Sequence, residues 1–155
     1  MLYSIGAHPA FMMPAGKKTS DMYLAFPGKK DLPFYRIAKS GCALKDDVKM
    51  LPLDADSCVK ITDDFWNEDV YIFDHQELNA VALYHEDKTP YVTIRSKGFP
   101  YFGVWTKPGA PFVCLEPWQG RCDVDGYTGE LKDKDGIRML AAGVSEEFSY
   151  IIEIS

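Results

Sequence analysis

One carboxylate in this sequence, Glu116, lies between a short apolar run and a Pro-Trp pair, a position that suits proton transfer. Residues 112–115 are expected to form a buried strand, and Pro117 is expected to end it because proline lacks the next backbone donor. Glu116 would then lie where the strand gives way to a loop. Partial burial raises the pKa of a carboxyl group, so a residue placed there can act as a base. The alternative is an ordinary strand-end glutamate that pairs with a lysine or with backbone donors.

The composition excludes several classes of partner and site. The 155 residues carry a formal net charge of -6 and no basic run, so neither nucleic acid nor an anionic membrane is expected as a partner. No apolar stretch reaches membrane-spanning length, and the N-terminus lacks the pattern of a signal peptide. The four cysteines form no CxxC pair and no two histidines have ligand spacing, so no metal site is predicted. We interpret the cysteines as reduced thiols of a cytoplasmic protein.

The apolar pattern predicts mostly β-strands. Residues 91–95 and 148–154 alternate with a period of two, and the C-terminal strand is expected to bury one face strongly. Residues 70–73 and 80–84 form two further predicted strands. The polar segment 85–90 should join the second of these to residues 91–95 as a hairpin.

The turn-forming residues predict the fold class. Ten prolines and twelve glycines between short apolar runs leave no room for long helices. The best helix candidate is the short stretch 62–65, with Thr62 as a possible cap. The sequence contains no internal repeat, low-complexity tract or linker, so residues 1–155 are predicted to form a single all-β domain. It should be an antiparallel β-sandwich or part of one.

Several ordered motifs carry a resemblance to a known family. They are the segments 4–11 (SIGAHPAF), 21–26 (DMYLAF), 99–106 (FPYFGVWT), 116–118 (EPW), 134–137 (KDGI) and 140–143 (LAAG). With these motifs the chain resembles the aldose 1-epimerase, or galactose mutarotase, family, and within it the bacterial aldose epimerase-like branch. The resemblance spans nearly the whole chain but covers only the C-terminal half of the family's usual length. It implies part of a galactose mutarotase-like supersandwich.

The resemblance also implies a reaction, the interconversion of the α and β anomers of a free hexose without a metal or an organic cofactor. The sugar ring opens when the anomeric hydroxyl loses a proton and the ring oxygen gains one, so the reaction needs a base and an acid. By position in the motifs, Glu116 corresponds to the family's base and His8 to its acid. Outside such a motif, a histidine beside a proline is more often a hydrogen-bonded structural residue. His75 and His85 match no motif and are expected to be solvated.

Three further residues are candidates for binding the sugar. The family has an acidic residue just before a strand such as 70–73, and Asp69 corresponds to it, although a shift of one residue would give the role to Glu68. A solvated acidic turn is the alternative for this position. Trp118 and Trp105 lie within the motifs, where an aromatic ring is either a platform for a sugar ring or part of the core.

Half of the family's cleft has no counterpart in this chain. Active members of the family that this chain resembles carry, in their first half, an arginine and another histidine that orient the sugar. Arg95 and Arg121 are weaker ligand candidates here, and a surface position is expected for both. Because the family's sheets continue across the missing half, we expect a homodimer or a complex with a complementary N-terminal-half chain. Two alternatives to catalysis are a carbohydrate-binding module without turnover and a structural half whose role is assembly.

Overall fold

The computed structural model describes residues 1–155, except for the side chain of Glu68. Short strands make up most of its regular structure. In chain order they are β1 (Leu2–Tyr3), β2 (Ala10–Met12), β3 (Tyr23–Ala25), β4 (Asp31–Ile37), β5 (Ala43–Pro52), β6 (Cys58–Lys60), β7 (Tyr71–Asp74), β8 (Ala80–Tyr84), β9 (Pro90–Arg95), β10 (Tyr101–Trp105), β11 (Phe112–Trp118), β12 (Arg138–Met139) and β13 (Ile151–Ile154). The 3-10 helices are Thr19–Asp21, Phe65–Glu68 and Leu131–Asp133.

Two antiparallel sheets form the body of the structure. The six-stranded sheet has the order β2-β11-β10-β7-β4-β5, and the five-stranded sheet has the order β13-β9-β8-β3-β6. Strands β1 and β12 pair separately as a small ribbon. The two sheets confirm the predicted antiparallel β-sandwich. None of the helices among the described residues has the length and apolar character of a membrane span.

The core lies between the two sheets and follows the alternation of side chains along each strand. In β9, Val92 and Ile94 are buried whereas Arg95 is exposed. Phe26 and Phe73 meet inside the core with their ring centroids 5.2 Å apart. Burying an apolar side chain of this size contributes roughly 1.5–3 kcal/mol, so these contacts are what fix one sheet against the other.

The predicted hairpin is confirmed. Strands β8 and β9 pair antiparallel, with Val81 opposite Ile94 and Ala82 opposite Thr93. The preceding predicted strand, at residues 70–73, is also present as β7, shifted by one residue toward the C-terminus.

The outer face of the six-stranded sheet carries the candidate catalytic residue. Successive side chains of a strand point to opposite faces. On β11, Val113 and Leu115 therefore point into the core, whereas Cys114, Glu116 and Trp118 share the outer face. The alternation that builds the core thus also presents Glu116 on the side of the sheet away from it.

Strand β11 does not end at Pro117, contrary to the prediction. It runs to Trp118, so Glu116 lies within a strand rather than at its end. The backbone of Pro117 faces the N-terminal segment, since its carbonyl accepts a hydrogen bond from the N–H of Ala7 at 3.0 Å. The N–H and C=O of one strand residue point to the same side. The N–H that Pro117 lacks would therefore face the N-terminal segment, and the ladder between β10 and β11 loses no hydrogen bond.

The predicted helical turn is present but begins later than expected. The 3-10 helix starts at Phe65, with Asp64 as its N-cap residue. Thr62 contributes only its carbonyl, which accepts a hydrogen bond from the N–H of Phe65. The prediction of Thr62 as the cap was therefore wrong.

The C-terminal strand is shorter and more exposed than predicted. Ile152 and Ile154 lie opposite Ile94 and Val92 of β9, which are buried, yet they are 42% and 79% exposed. The cause is that β13 is an edge strand, while β2, the edge strand of the opposing sheet, has only three residues. The two layers are joined near this edge by the Tyr91 hydroxyl, which donates to the carbonyl of Met12. We call this part of the sandwich, between β2 and β13, the open end.

Candidate active site

Glu116 is a buried carboxylate on the outer face of the six-stranded sheet. It lies opposite Gly103 of β10 and is 2% exposed. Loss of solvation raises the pKa of its carboxyl group to about 7, while His8 and Trp118 act in the opposite direction. A carboxyl group that titrates near neutrality can both accept and return a proton at working pH.

His8 lies on the segment between β1 and β2, which is held along β11 by backbone hydrogen bonds such as that from Ala7 to Pro117. Its Nε2 is 3.4 Å from Oε1 of Glu116. The His8 side chain is 62% exposed, whereas that of Glu116 is 3% exposed. The pair therefore joins a buried proton acceptor to a group that is in contact with solvent.

Trp118 supports the carboxylate from the side. Its side chain lines the same cleft as Glu116 and lowers the pKa of the carboxyl group. The ring also lies across the α-carbons of Gly6 and Gly103, where a β-carbon on either glycine would clash with it. Residues from three of the sequence motifs therefore meet at this one ring, and two glycines are required for it to lie there.

These side chains line a cleft of about 390 Å³. Its walls include His8, Glu116, Trp118, Ile37, Ile72 and Arg121. A volume of this order, with a few polar groups among apolar and aromatic walls, is typical of sites for small molecules.

Trp105 and Asp69 flank the cleft beside His8. The indole N–H of Trp105 donates to Oδ1 of Asp69 at 2.9 Å, and its ring meets the His8 ring edge-on at 6.2 Å between centroids. Asp69 follows the second 3-10 helix with a φ of 64°, a positive value that is uncommon for a residue other than glycine. All five predicted site residues are thus connected by direct contacts.

Arg121 is buried, although the sequence predicted a surface position. Its Nε donates to Asp74 at 2.9 Å and its Nη2 to Asp135 at 3.0 Å. The guanidinium also lies within 6 Å of the Tyr35 and Tyr101 ring centroids, at 5.7 and 5.6 Å. Two carboxylates distant in sequence offset the cost of burying the charge, which sequence reasoning could not foresee.

The remaining sequence candidates lie outside the cleft. Arg95 is 54% exposed and pairs with Glu153 at 2.6 Å, as expected of a surface arginine. His75 is 63% exposed and lies beside Tyr101. His85 packs against Tyr91, at 5.3 Å between ring centroids.

Among the described residues, two groups of side chains bring metal-ligand atoms within 4.8 Å of one another. They are His8, Cys114 and Glu116, and Asp74, His75 and Asp135. Neither group was predicted, because its members are brought together only by the fold. Cys114 precedes Glu116 by two residues, a spacing that places both on one face of a strand and was the available signal. The four cysteines are free, in agreement with the predicted thiols.

The fold is that of galactose mutarotase-like proteins, as the resemblance implied. A galactose mutarotase-like protein from Lactobacillus casei matches with a TM-score of 0.82 and 23% identity, over 100% of this chain and 54% of that one. A galactose mutarotase related enzyme from Lactobacillus acidophilus matches with a TM-score of 0.77 and 23% identity, over 98% of this chain and 50% of that one.

A curated relative is similar in sequence. The protein LacX, chromosomal, of Lactococcus lactis subsp. lactis is 28% identical over 160 residues, which cover 99% of this chain and 52% of LacX. No family model matches the chain. The chain therefore spans about half the length of the relatives it matches.

Proposed function

We propose that this chain is an aldose 1-epimerase-like isomerase that interconverts the α and β anomers of a free hexose by general acid–base catalysis. One observation carries the proposal. The Glu116 carboxyl group, with its pKa raised to about 7 by burial, lies 3.4 Å from Nε2 of an exposed histidine, His8. Both line a cleft of small-molecule size, and the galactose mutarotase-like fold supports the assignment.

In the proposed reaction, Glu116 takes the proton of the anomeric hydroxyl while His8 gives one to the ring oxygen. The bond between the anomeric carbon and the ring oxygen breaks, and the anomeric C–O becomes the carbonyl of an aldehyde. Rotation about the C1–C2 bond presents the other face, and the reverse transfers close the ring. Each group regains its starting protonation state, so the chemistry needs only one acid and one base.

The pair must separate to admit the sugar. An anomeric carbon with its two oxygens does not fit between atoms that are 3.4 Å apart, because each catalytic hydrogen bond needs about 2.6–3.2 Å of its own. Glu116 is enclosed by its strand and by Trp118, whereas the exposed side chain of His8 can rotate outward. We therefore assign the movement that accompanies binding to His8.

The other three residues are proposed to hold the sugar. Trp118 presents an aromatic surface in the cleft beside Glu116, suited to the C–H face of a pyranose ring. Trp105 donates to Oδ1 of Asp69, which leaves Oδ2 to accept a hydrogen bond from a sugar hydroxyl. Because His8 contacts Trp105, a sugar that reaches Asp69 would also lie beside the proposed acid.

Polarimetry of freshly dissolved galactose or glucose tests this function. The protein should accelerate the drift of optical rotation toward equilibrium, beyond the rate in buffer alone. Titration calorimetry with the same sugars, in parallel, distinguishes catalysis from the two alternatives, a carbohydrate-binding module and a structural half. Binding without acceleration would favour a carbohydrate-binding module, and neither binding nor acceleration would favour a structural half.

The second candidate, an assembly half-domain, is favoured by one specific observation. Ile152 and Ile154 occupy core-facing positions of β13, yet they are 42% and 79% exposed. The opposing edge strand β2 has only three residues, and of these only Phe11 packs against the core, so it does not cover them. Apolar side chains left exposed at the edge of a sheet, at one end of a sandwich, are typical of a surface that another layered structure covers.

We propose that the open end pairs with a homodimer partner or with a complementary half-length chain. The matched relatives are about twice as long as this chain, so a partner of similar size would restore their length. Both proposals are compatible. Catalysis by an assembled protein and inactivity of the isolated chain would follow if the partner supplied groups that orient the sugar.

A further inference from the structure

We propose that His8, Cys114 and Glu116 form a binding site for one divalent ion of the zinc class, in the cleft of the proposed acid–base pair. The three side chains offer an imidazole nitrogen, a thiol sulfur and a carboxylate oxygen, all within 4.8 Å of one another. The inference goes beyond the proposed function, which uses no metal and assigns no role to Cys114.

One pair of ligand atoms in the group already has the separation found in a tetrahedral site. Metal–ligand distances of about 2.0–2.2 Å for nitrogen and oxygen place two tetrahedral ligands about 3.3–3.5 Å apart. Nε2 of His8 and Oε1 of Glu116 are already 3.4 Å apart. Cys114 lies two residues before Glu116 on the same strand, so the regular strand fixes these two ligands relative to each other.

The chemistry of the ligands selects the ion. A thiolate and an imidazole favour zinc, cobalt and similar borderline-soft ions over magnesium and calcium, which prefer sets of oxygen ligands. When the ion binds, the Cys114 thiol releases its proton to solvent. One thiolate and one carboxylate then offset the two charges of the ion within a mostly buried site.

The surroundings fit a site with an open position. Cys114 and Glu116 are buried, whereas His8 is exposed, so the ion would be reached from the solvent side. Three protein ligands and one solvent position is the arrangement of open zinc sites. Trp118 lines the cleft beside Glu116, and its ring packs on Gly103, the residue opposite Glu116.

The other group of potential ligands is less suited to an ion. Asp74 and Asp135 both accept hydrogen bonds from Arg121, at 2.9 and 3.0 Å, so the positive charge of the guanidinium already occupies that position. A cation there would have to displace a buried arginine. His75 therefore provides a matched control for His8, since each is an exposed histidine beside a carboxylate.

Occupation of the site would block acid–base catalysis. The ion would take the nitrogen of His8 and the carboxylate of Glu116, the two groups that the proposed reaction requires. Zinc is therefore expected to inhibit any mutarotation, and a chelator to restore it.

Cobalt(II) binding to the complete chain tests the site without reference to catalysis. Wild-type protein, reduced and freed of metal, should bind one Co²⁺ per chain and show a thiolate-to-cobalt charge-transfer band, which Zn²⁺ should displace. Cys114→Ser should lose the band. His8→Asn should bind at least about a hundredfold more weakly, because loss of an outer-shell partner alone typically costs ten- to a hundredfold. Cys42→Ser and His75→Asn should behave as wild type.

The outcomes decide the proposal even if one variant misfolds. His8 is exposed, so His8→Asn gives an answer if Cys114→Ser proves unfolded by circular dichroism. The absence of a charge-transfer band in the wild type overturns the site, as does its persistence in folded Cys114→Ser. Loss of binding in His75→Asn, with His8→Asn unaffected, would show that the ion binds at Asp74, His75 and Asp135, and would equally overturn the proposal.

Discussion

The indole of Trp118 lies across the α-carbon of Gly103 on the neighbouring strand and fills the space that a side chain there would need. The same side chain lowers the pKa of Glu116, which is directly opposite Gly103 in the β10–β11 ladder. A glycine on one strand therefore determines where the support of the candidate base can lie on the next. Position 103 contributes to the site through the volume that it leaves free.

Gly103→Ala is expected to destabilise the protein by about 1–3 kcal/mol, the usual cost of forcing an extra carbon into a packed position. The added β-carbon clashes with the Trp118 ring, which must move away from Glu116. Urea denaturation measures the loss. In a Trp118→Ala background the clash is absent, so Gly103→Ala should cost much less there. An equal cost in both backgrounds would mean that the ring does not occupy this space.

The proposed pair can be tested by removing each proton-transfer group while keeping its size. Glu116→Gln and His8→Asn should each lower the rate of mutarotation, where the wild type shows it, by about a hundred- to ten-thousandfold, the usual range for general acid–base groups. Polarimetry provides the rates and circular dichroism checks the folding. Glu86→Gln and His75→Asn, at exposed positions outside the cleft, are the matched controls. A folded Glu116→Gln variant as fast as the wild type would refute the mechanism.

The proposed reaction needs an ionised Glu116 and a protonated His8, so the pH profile of the catalysed rate is expected to be bell-shaped, with its rising, acidic limb near pH 7. Glu116 accepts a proton only when it is ionised, and burial raises the pKa of its carboxyl group from 4.5 to about 7. The pH profile of kcat/KM, corrected for the drift in buffer and measured with a chelator present, reports this titration. An acidic limb that is already complete by about pH 5.5 would show that the base titrates as an ordinary solvated glutamate.

The same shift predicts a pH-dependent difference in stability between Glu116→Gln and the wild type. Below about pH 4.5 the carboxyl group is protonated in both the folded and the unfolded chain, so it contributes no difference. Between 4.5 and about 7 the unfolded chain ionises while the folded chain stays protonated, and wild-type stability falls.

Glutamine does not titrate, so Glu116→Gln should gain stability relative to the wild type across this window and keep the gain above it. Each pKa unit corresponds to about 1.4 kcal/mol, so the gain should amount to a few kcal/mol at most. Denaturation at about pH 4 and pH 8 measures it. A difference that is independent of pH would contradict the raised pKa.

The sequence predicted the strands better than the site, and particular residues show why. The alternation of apolar residues at 91–95 is a local signal, and it correctly predicted β9. The path of β11 through Pro117 depends on Ala7, which is distant in sequence, and was missed. Arg121 was assigned to the surface because its partners, Asp74 and Asp135, are recognisable only after folding.

Exposure of the C-terminal strand was mispredicted for a related reason. Residues 148–154 have the alternation of a half-buried strand, and the pattern predicts a buried face wherever a second layer exists. In this chain Ile152 and Ile154 keep that pattern, but the opposing sheet ends at the short strand β2. The sequence therefore describes a contact that the isolated chain does not make, and this discrepancy leads to the last prediction.

The open end is expected to be covered in solution. Light scattering should give a mass above the 17.5 kDa of one chain, or the chain should bind a complementary half when the two are mixed. Ile152→Glu and Ile154→Glu should each shift the assembly toward the monomer, because a charge at a core-facing position of β13 must be desolvated when a partner layer packs on it. Met50→Glu, on the opposite edge strand β5 and 57% exposed in the isolated chain, is the control and should leave the mass unchanged. A wild-type chain that is monomeric at 17.5 kDa, binds no dye for exposed apolar surface and ignores a complementary half would contradict the proposed assembly.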